Sequence, residues 1–232
     1  MKTEVIIHVG MHKTGTTFIQ EEIFQRVASR DPLNEINYME TFDISNHIKE
    51  GKINIISDEN LDGGSYRLSS NHKRRNTIAH NLAKLYPDAK VIVCIRNQKT
   101  WIRSAYKQFV LGYGAKDHSF KDYVRDIDAE VLDFVGYTKL LEDLFPSVHV
   151  CHFEDLVENP AGFIMNICKF IGIDYPIGVN YRRKNVAISD KQVSTIRKIS
   201  RFLRLKELYF PVSVLIKLVR KDVKFGEWGR KV

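Results

Sequence analysis

Four short apolar runs set the limits on what this chain can become. Residues 4–9, 53–57, 90–95 and 147–152 each have the length and apolar content of a buried strand. Segments with helical periodicity lie between them. Residues 15–29 place Phe18, Ile19, Ile23, Phe24 and Val27 on one stripe. Residues 71–86 end ahead of Pro87-Asp88, and 98–111, 119–126 and 132–144 also read as helices. Asn159 is placed to cap a helix that starts at Pro160, carries Phe163, Ile164, Ile167 and Ile171, and stops at Gly172. Strands that alternate with helices can pair in parallel only through crossover connections. The expectation is therefore an α/β fold of three layers, a central parallel sheet covered by helices on both faces. In such sheets ligands bind beyond the carboxyl ends of the strands, so the residues just after 9, 57, 95 and 152 carry the search for a site.

The chain has 232 residues, enough for one large domain. It is expected to be a single domain over 1–232 with a basic helical extension at about 191–232. The net charge of +8 sits in that extension: from Lys191 onward there are 12 Lys/Arg against 3 Asp/Glu. Residues 191–205 form an amphipathic helix (Val193, Ile196, Ile199, Leu203), and Pro211 opens a second one to about Arg220. A basic face of this kind suits a peripheral membrane surface or a polyanion, or is simply a solvated helix face; no nucleic acid is expected. Cys94, Cys151 and Cys168 are scattered, without the paired spacing of a zinc site, and are expected to be buried free thiols. No metal is expected. Met1 to Glu4 lead straight into a strand, with no secretory segment, and no run reaches the roughly 20 apolar residues that span a bilayer. The expected location is the cytoplasm, with membrane contact on its cytoplasmic side if the tail binds lipid.

The first strand runs into Gly10-Met11-His12-Lys13-Thr14-Gly15-Thr16-Thr17 and then a helix. A glycine-bearing loop at a helix start offers backbone N–H groups and a positive dipole to an anion. Gly10 and Gly15 have the spacing of the nucleotide-triphosphate loop, but its lysine position holds Thr16, and Lys13 stands three residues earlier. An NTPase also needs a carboxylate at a strand end for Mg²⁺. Strand 90–95 ends instead in Arg96; Glu154 and Asp155 after the last strand also fit a helix start.

The Lys13-Thr14-Gly15-Thr16-Thr17 run resembles the 5′-phosphosulfate loop of the sulfotransferases that use 3′-phosphoadenosine-5′-phosphosulfate (PAPS). Arg96 and Ser104, eight residues apart across a strand end and the next helix, resemble that family's 3′-phosphate motif. The resemblance covers about residues 4–172, in its bacterial and carbohydrate-acting branch. It implies a P-loop NTPase-like architecture, PAPS as co-substrate, and transfer of a sulfonate group to an acceptor hydroxyl, with 3′-phosphoadenosine-5′-phosphate (PAP) released. It also implies that Lys13, Thr14, Gly15, Thr16 and Thr17 bind the 5′ side, Arg96 and Ser104 the 3′-phosphate, and a basic loop near the C-terminus the nucleotide. Arg183 and Lys184 are the candidates there, with Arg182 close behind; the family's Arg-Lys-Gly run is missing.

Sulfonate transfer asks for a base on the acceptor and a cation on the leaving phosphate. Lys13 fits the cation. Glu59, just beyond strand 53–57, is the first candidate base, His12 the second and His118 the third. The carbohydrate-acting branch places a glutamate where Glu59 stands, which favours a carbohydrate or glycoconjugate acceptor. Tyr66, Tyr106, Phe109 and Tyr113 either line an acceptor pocket or pack in the core. The alternative enzyme class is a nucleotide kinase or other P-loop phosphotransferase.

Overall fold

The computed structural model describes residues 2–40, 48–63, 68, 72–112, 118–181 and 188–205. Arg182, Arg183, Lys184, Tyr66, Tyr113 and the expected helix 211–220 lie outside the described residues. The described parts of residues 1–101 and 127–184 gather into one compact unit, and those of 102–126 and 185–232 into a second.

The first unit holds a five-stranded sheet. Its strands are β1 (Glu4–Val9), β2 (Ile36–Met39), β3 (Ile53–Asp58), β4 (Lys90–Ile95) and β5 (Ser147–His152). Their order is β2-β3-β1-β4-β5, and every pair is parallel. Four of these are the apolar runs of the sequence. The fifth, β2, is a four-residue edge strand that sequence reasoning missed. It is short, and its buried Asn37 breaks the apolar signature: the Asn37 side chain donates to Asn54 Oδ1 at 2.8 Å.

Alternation along the strands builds two cores. Ile6, Ile55, Ile92 and Cys94 face Ile19, Ile23 and Phe24 together with Phe163, Ile164, Ile167 and Ile171. The first three of those helical residues belong to one helical run: α1 (Thr16–Phe18), a π-helical segment (Ile19–Phe24) and α2 (Gln25–Ser29). The helices after β2 are α3 (His72–Leu85), α4 (Gln98–Gly112), α5 (Phe120–Asp126), α6 (Phe134–Leu144), α7 (Phe153–Glu158), α8 (Pro160–Ile171) and α9 (Asp190–Leu205). The Phe163-to-Ile171 stripe is α8, capped by the Asn159 side chain on the Gly162 N–H at 3.0 Å and ended at Gly172. On the opposite face α6 packs against β4 and β5. Cys94, Cys151 and Cys168 are free and buried.

The second unit contains the later turns of α4, with α5 and α9. Tyr106 and Phe109 are buried beside Tyr123, with ring centroids 5.5 and 5.1 Å from it. They are core residues of this unit. Lys107 pairs with Asp190 at 2.9 Å. Among the described residues no helix is long and apolar enough to cross a membrane.

A polar knot lies inside the first core. His8 is fully buried; its Nδ1 is 2.7 Å from Ser57 Oγ, which also accepts from Gln20 Nε2 at 3.1 Å. These bonds join β1, β3 and the π-helical segment just beneath the carboxyl edge. His8 Nε2 has no hydrogen-bond partner among the described atoms. Burial lowers the His8 pKa from 6.5 to about 3. A charged His8 thus favours the unfolded chain, so its contribution to stability is complete above about pH 6.5 and is lost as pH falls towards 3. Urea unfolding between pH 7 and 4 should show a loss of stability from this residue approaching ~1.4 kcal/mol per pH unit. His8→Gln should flatten that slope.

Candidate functional site

Parallel pairing brings three loops to one edge of the sheet. β1 leads left towards β2, whereas β4 leads right towards β5, so the crevice between β1 and β4 is the topological switch point. The loops after β1, β3 and β4 meet there.

The loop after β1 is held from inside. The Met11 carbonyl accepts from the Thr14 hydroxyl at 2.6 Å and from the Thr16 hydroxyl at 3.0 Å. Both threonines are buried, and their hydroxyl protons build the loop. Lys13 and Gly15 adopt left-handed backbone, with φ 66° and 91°. A side chain on Gly15 would also meet Leu156 Cδ2 at 2.7 Å. Gly10 has no room for one either, since a Cβ would lie 2.7 Å from Thr16 Cγ2 and 3.0 Å from the Asp58 carbonyl oxygen.

β4 clamps the loop from the other side. Arg96 Nη1 donates to the Lys13 carbonyl at 3.0 Å, and Cys94 Sγ donates to the Thr14 carbonyl at 3.1 Å. In a trans peptide the N–H points opposite to the C=O. With both carbonyls turned to β4, the N–H groups of Thr14 and Gly15 face away from it, ahead of the first helical bond at Phe18. Arg96 is fixed further by Thr100 Oγ1 at 3.0 Å and by the Phe153 ring, 4.3 Å from the guanidinium carbon. Glu154 accepts from the Asn97 N–H at 3.2 Å, at the start of α7.

The loop after β3 is a 3₁₀ turn (Glu59–Asp62) that meets His12. The Asp62 side chain is fully buried; its Oδ2 accepts the His12 backbone N–H at 3.0 Å, and His12 Nδ1 lies 3.1 Å from both carboxylate oxygens. His12 Nε2 is 3.7 Å from Glu59 Oε2. Trp101 Nε1 donates to the His12 carbonyl at 2.8 Å. Burial lowers the Lys13 pKa, Glu59 opposes that shift and Arg96 adds to it. Burial raises the Glu59 pKa, opposed by His12 and then Lys13, while Asp62 and Asp58 add to it. Lys13, Glu59, His12 and Arg96 are therefore electrostatic neighbours at one edge.

The other expected residues are placed differently. Thr17 is half-buried in α1. Ser104 is buried in α4, about two helical turns beyond Asn97 and in the second unit. His118 is engaged by Asp126 at 3.0 Å in that unit. The approach to the basic segment is anchored where the Asn180 N–H donates to Glu22 Oε2 at 2.9 Å. Sequence reasoning missed Asp62, Trp101 and Phe153. Only Asp62 left a signal, a second carboxylate three residues after Glu59.

The protein-family model described as "Sulfotransferase domain" matches residues 2–218. The chain belongs to the sulfotransferase domain family. No curated protein sequence matches it significantly. The crystal structure of a sulfotransferase from Alicyclobacillus acidocaldarius is similar, with TM-score 0.52, 15% identity, and 93% of this chain and 100% of that one covered. A mouse sulfotransferase complexed with PAP has TM-score 0.46 and 13% identity, covering 90% and 69% of the two chains. A sulfotransferase domain from the curacin biosynthetic pathway has TM-score 0.44 and 12% identity, covering 97% and 99%. The family match and the fold make this a transferase. Gly15→Ala tests the loop: left-handed strain should cost about 1–2 kcal/mol in urea unfolding, and displacement of Leu156 should add to it.

Proposed function

We propose that the protein transfers a sulfonate group from PAPS to an acceptor hydroxyl, of a carbohydrate or glycoconjugate, and releases PAP. The observation that carries this reading is the meeting of two cations, Lys13 and Arg96, with a carboxylate, Glu59, around the glycine-bearing helix start. Backbone N–H groups at a glycine-bearing helix start and an arginine fork suit phosphate and sulfonate oxygens. The donor, when bound, supplies an electrophilic sulfur and a phosphate leaving group. Lys13 neutralises charge that develops on the leaving phosphate oxygen. Glu59 takes the acceptor hydroxyl proton as the acceptor oxygen bonds to sulfur and the sulfur–phosphate-oxygen bond breaks. Arg96 takes the 3′-phosphate, while Ser104, Arg183 and Lys184 are assigned to the donor by the family resemblance alone. The half-exposed Glu59 carboxylate is reachable by a hydroxyl from solvent, and its raised pKa makes it a stronger proton acceptor than an ordinary carboxylate. The positive excess beyond Lys191 supports an accessory contact with anionic lipid or a polyanion.

Calorimetry with PAP in the absence of Mg²⁺ tests the donor. PAP should bind far more tightly than ATP, and Lys13→Ala and Arg96→Ala should each weaken it by at least about tenfold, the loss of one charge-assisted contact. Equal or better binding of ATP, stopped by a chelator, would favour the phosphotransferase class instead. Glu59→Gln should bind PAP normally and lose about 10²–10⁴-fold in transfer of labelled sulfonate to a panel of glycan acceptors.

A further inference from the structure

We propose that His12 and Asp62 are a positioning pair behind Glu59: Asp62 locks the His12 imidazole in place, and His12 orients the Glu59 carboxylate and keeps it ready to accept a proton. This rests on the reading of Glu59 as the base.

The geometry is specific. His12 is fixed at three points: its N–H and its Nδ1 by the Asp62 carboxylate, and its carbonyl by Trp101 Nε1. An ionised carboxylate only accepts hydrogen bonds, so Asp62 places the proton on Nδ1. The other nitrogen, Nε2, is then the atom turned to Glu59 Oε2, 3.7 Å away. That separation is an ion-pair distance, too long for a direct hydrogen bond. Glu59 and Asp62 stand at the two ends of one 3₁₀ turn, where residues three apart eclipse. The turn thus sets one carboxylate on each ring nitrogen.

Charge supplies the purpose. Two carboxylates around one imidazole favour its protonated form. That cation in turn favours an ionised Glu59. Glu59 needs the help: burial and the like charges of Asp58 and Asp62 on its own segment oppose its ionisation, and His12 and then Lys13, from the loop after β1, favour it, while Arg75 of α3 faces Asp62. Lys13 is the cation assigned to the leaving phosphate, and the donor's charge will draw on it. His12 supplies the base with a counter-charge from the loop after β1. A fully buried Asp62 carboxylate, otherwise unused in the chemistry, acquires a task at one remove from the substrate.

The test follows the His12 ring by NMR in the full chain without ligand, with the resonance assigned through His12→Gln. Glu59→Gln and Asp62→Asn should each lower the pH at which His12 titrates by about one pH unit, since each removes a neighbouring opposite charge. The second readout is the pH profile of PAP release from PAPS with water as acceptor. A base works only when deprotonated, so the acid limb follows Glu59. Without the His12 charge that limb should move to higher pH in His12→Gln, by about one pH unit; in Asp62→Asn the loss of the Asp62 charge beside Glu59 offsets the effect of a weaker His12 cation. The inference is overturned if His12 titrates unchanged in Glu59→Gln, or if the acid limb stays put in His12→Gln. Should Asp62→Asn fail to fold, Glu59→Gln still decides, because that side chain is half-exposed. Absence of PAP binding in the parent would overturn the donor reading and leave the His12 titration to decide the pair.

Discussion

The Met11 carbonyl is the point on which the site is built. Two hydroxyls, from Thr14 and Thr16, converge on it, and this closes the chain into a loop between β1 and the helix that follows. The loop needs left-handed backbone at Lys13 and Gly15, a costly conformation for the lysine. The two threonine bonds and the clamp from β4 hold it there. A hydroxyl that faced the ligand alone would leave this strained turn without internal support.

Every other part of the site takes its position from that loop and from the parallel sheet beneath it. β3 delivers Glu59 and Asp62 on one side of β1, and β4 delivers Arg96 on the other. Arg96 then has two tasks. It holds the Lys13 carbonyl in place, and it presents a guanidinium stacked on Phe153 to the crevice. Loop conformation and cation placement are thereby one interaction, so a change at Arg96 disturbs both. The buried His8, Ser57 and Gln20 knot performs the same kind of work one layer down, tying β1 and β3 to the π-helical segment.

The edge combines opposite charges at close quarters. Lys13 and Glu59 are each shifted by burial away from the charged state, and each restrains the shift of the other. This balance sets a carboxylate whose pKa burial raises beside an ammonium whose pKa burial lowers, the pairing that the proposed transfer calls for.

The sequence by itself determined the layer architecture, four of the five strands, the caps of α8 and the edge at which Lys13, Glu59 and Arg96 meet. Those features are local: apolar periodicity, turn residues and strand-end positions act over a few neighbours. It also put Glu59 and His12 forward as candidate bases. Only the tertiary structure decided that they are partners with Asp62 behind them, because β1 and β3 are separated by some 50 residues of chain and meet solely through sheet pairing. The short strand β2 was hidden for a related reason: its buried Asn37 is paid for by Asn54 on the neighbouring strand. That the threonine hydroxyls turn inward to the Met11 carbonyl was likewise set by a fold that also turns the Lys13 and Thr14 carbonyls onto β4.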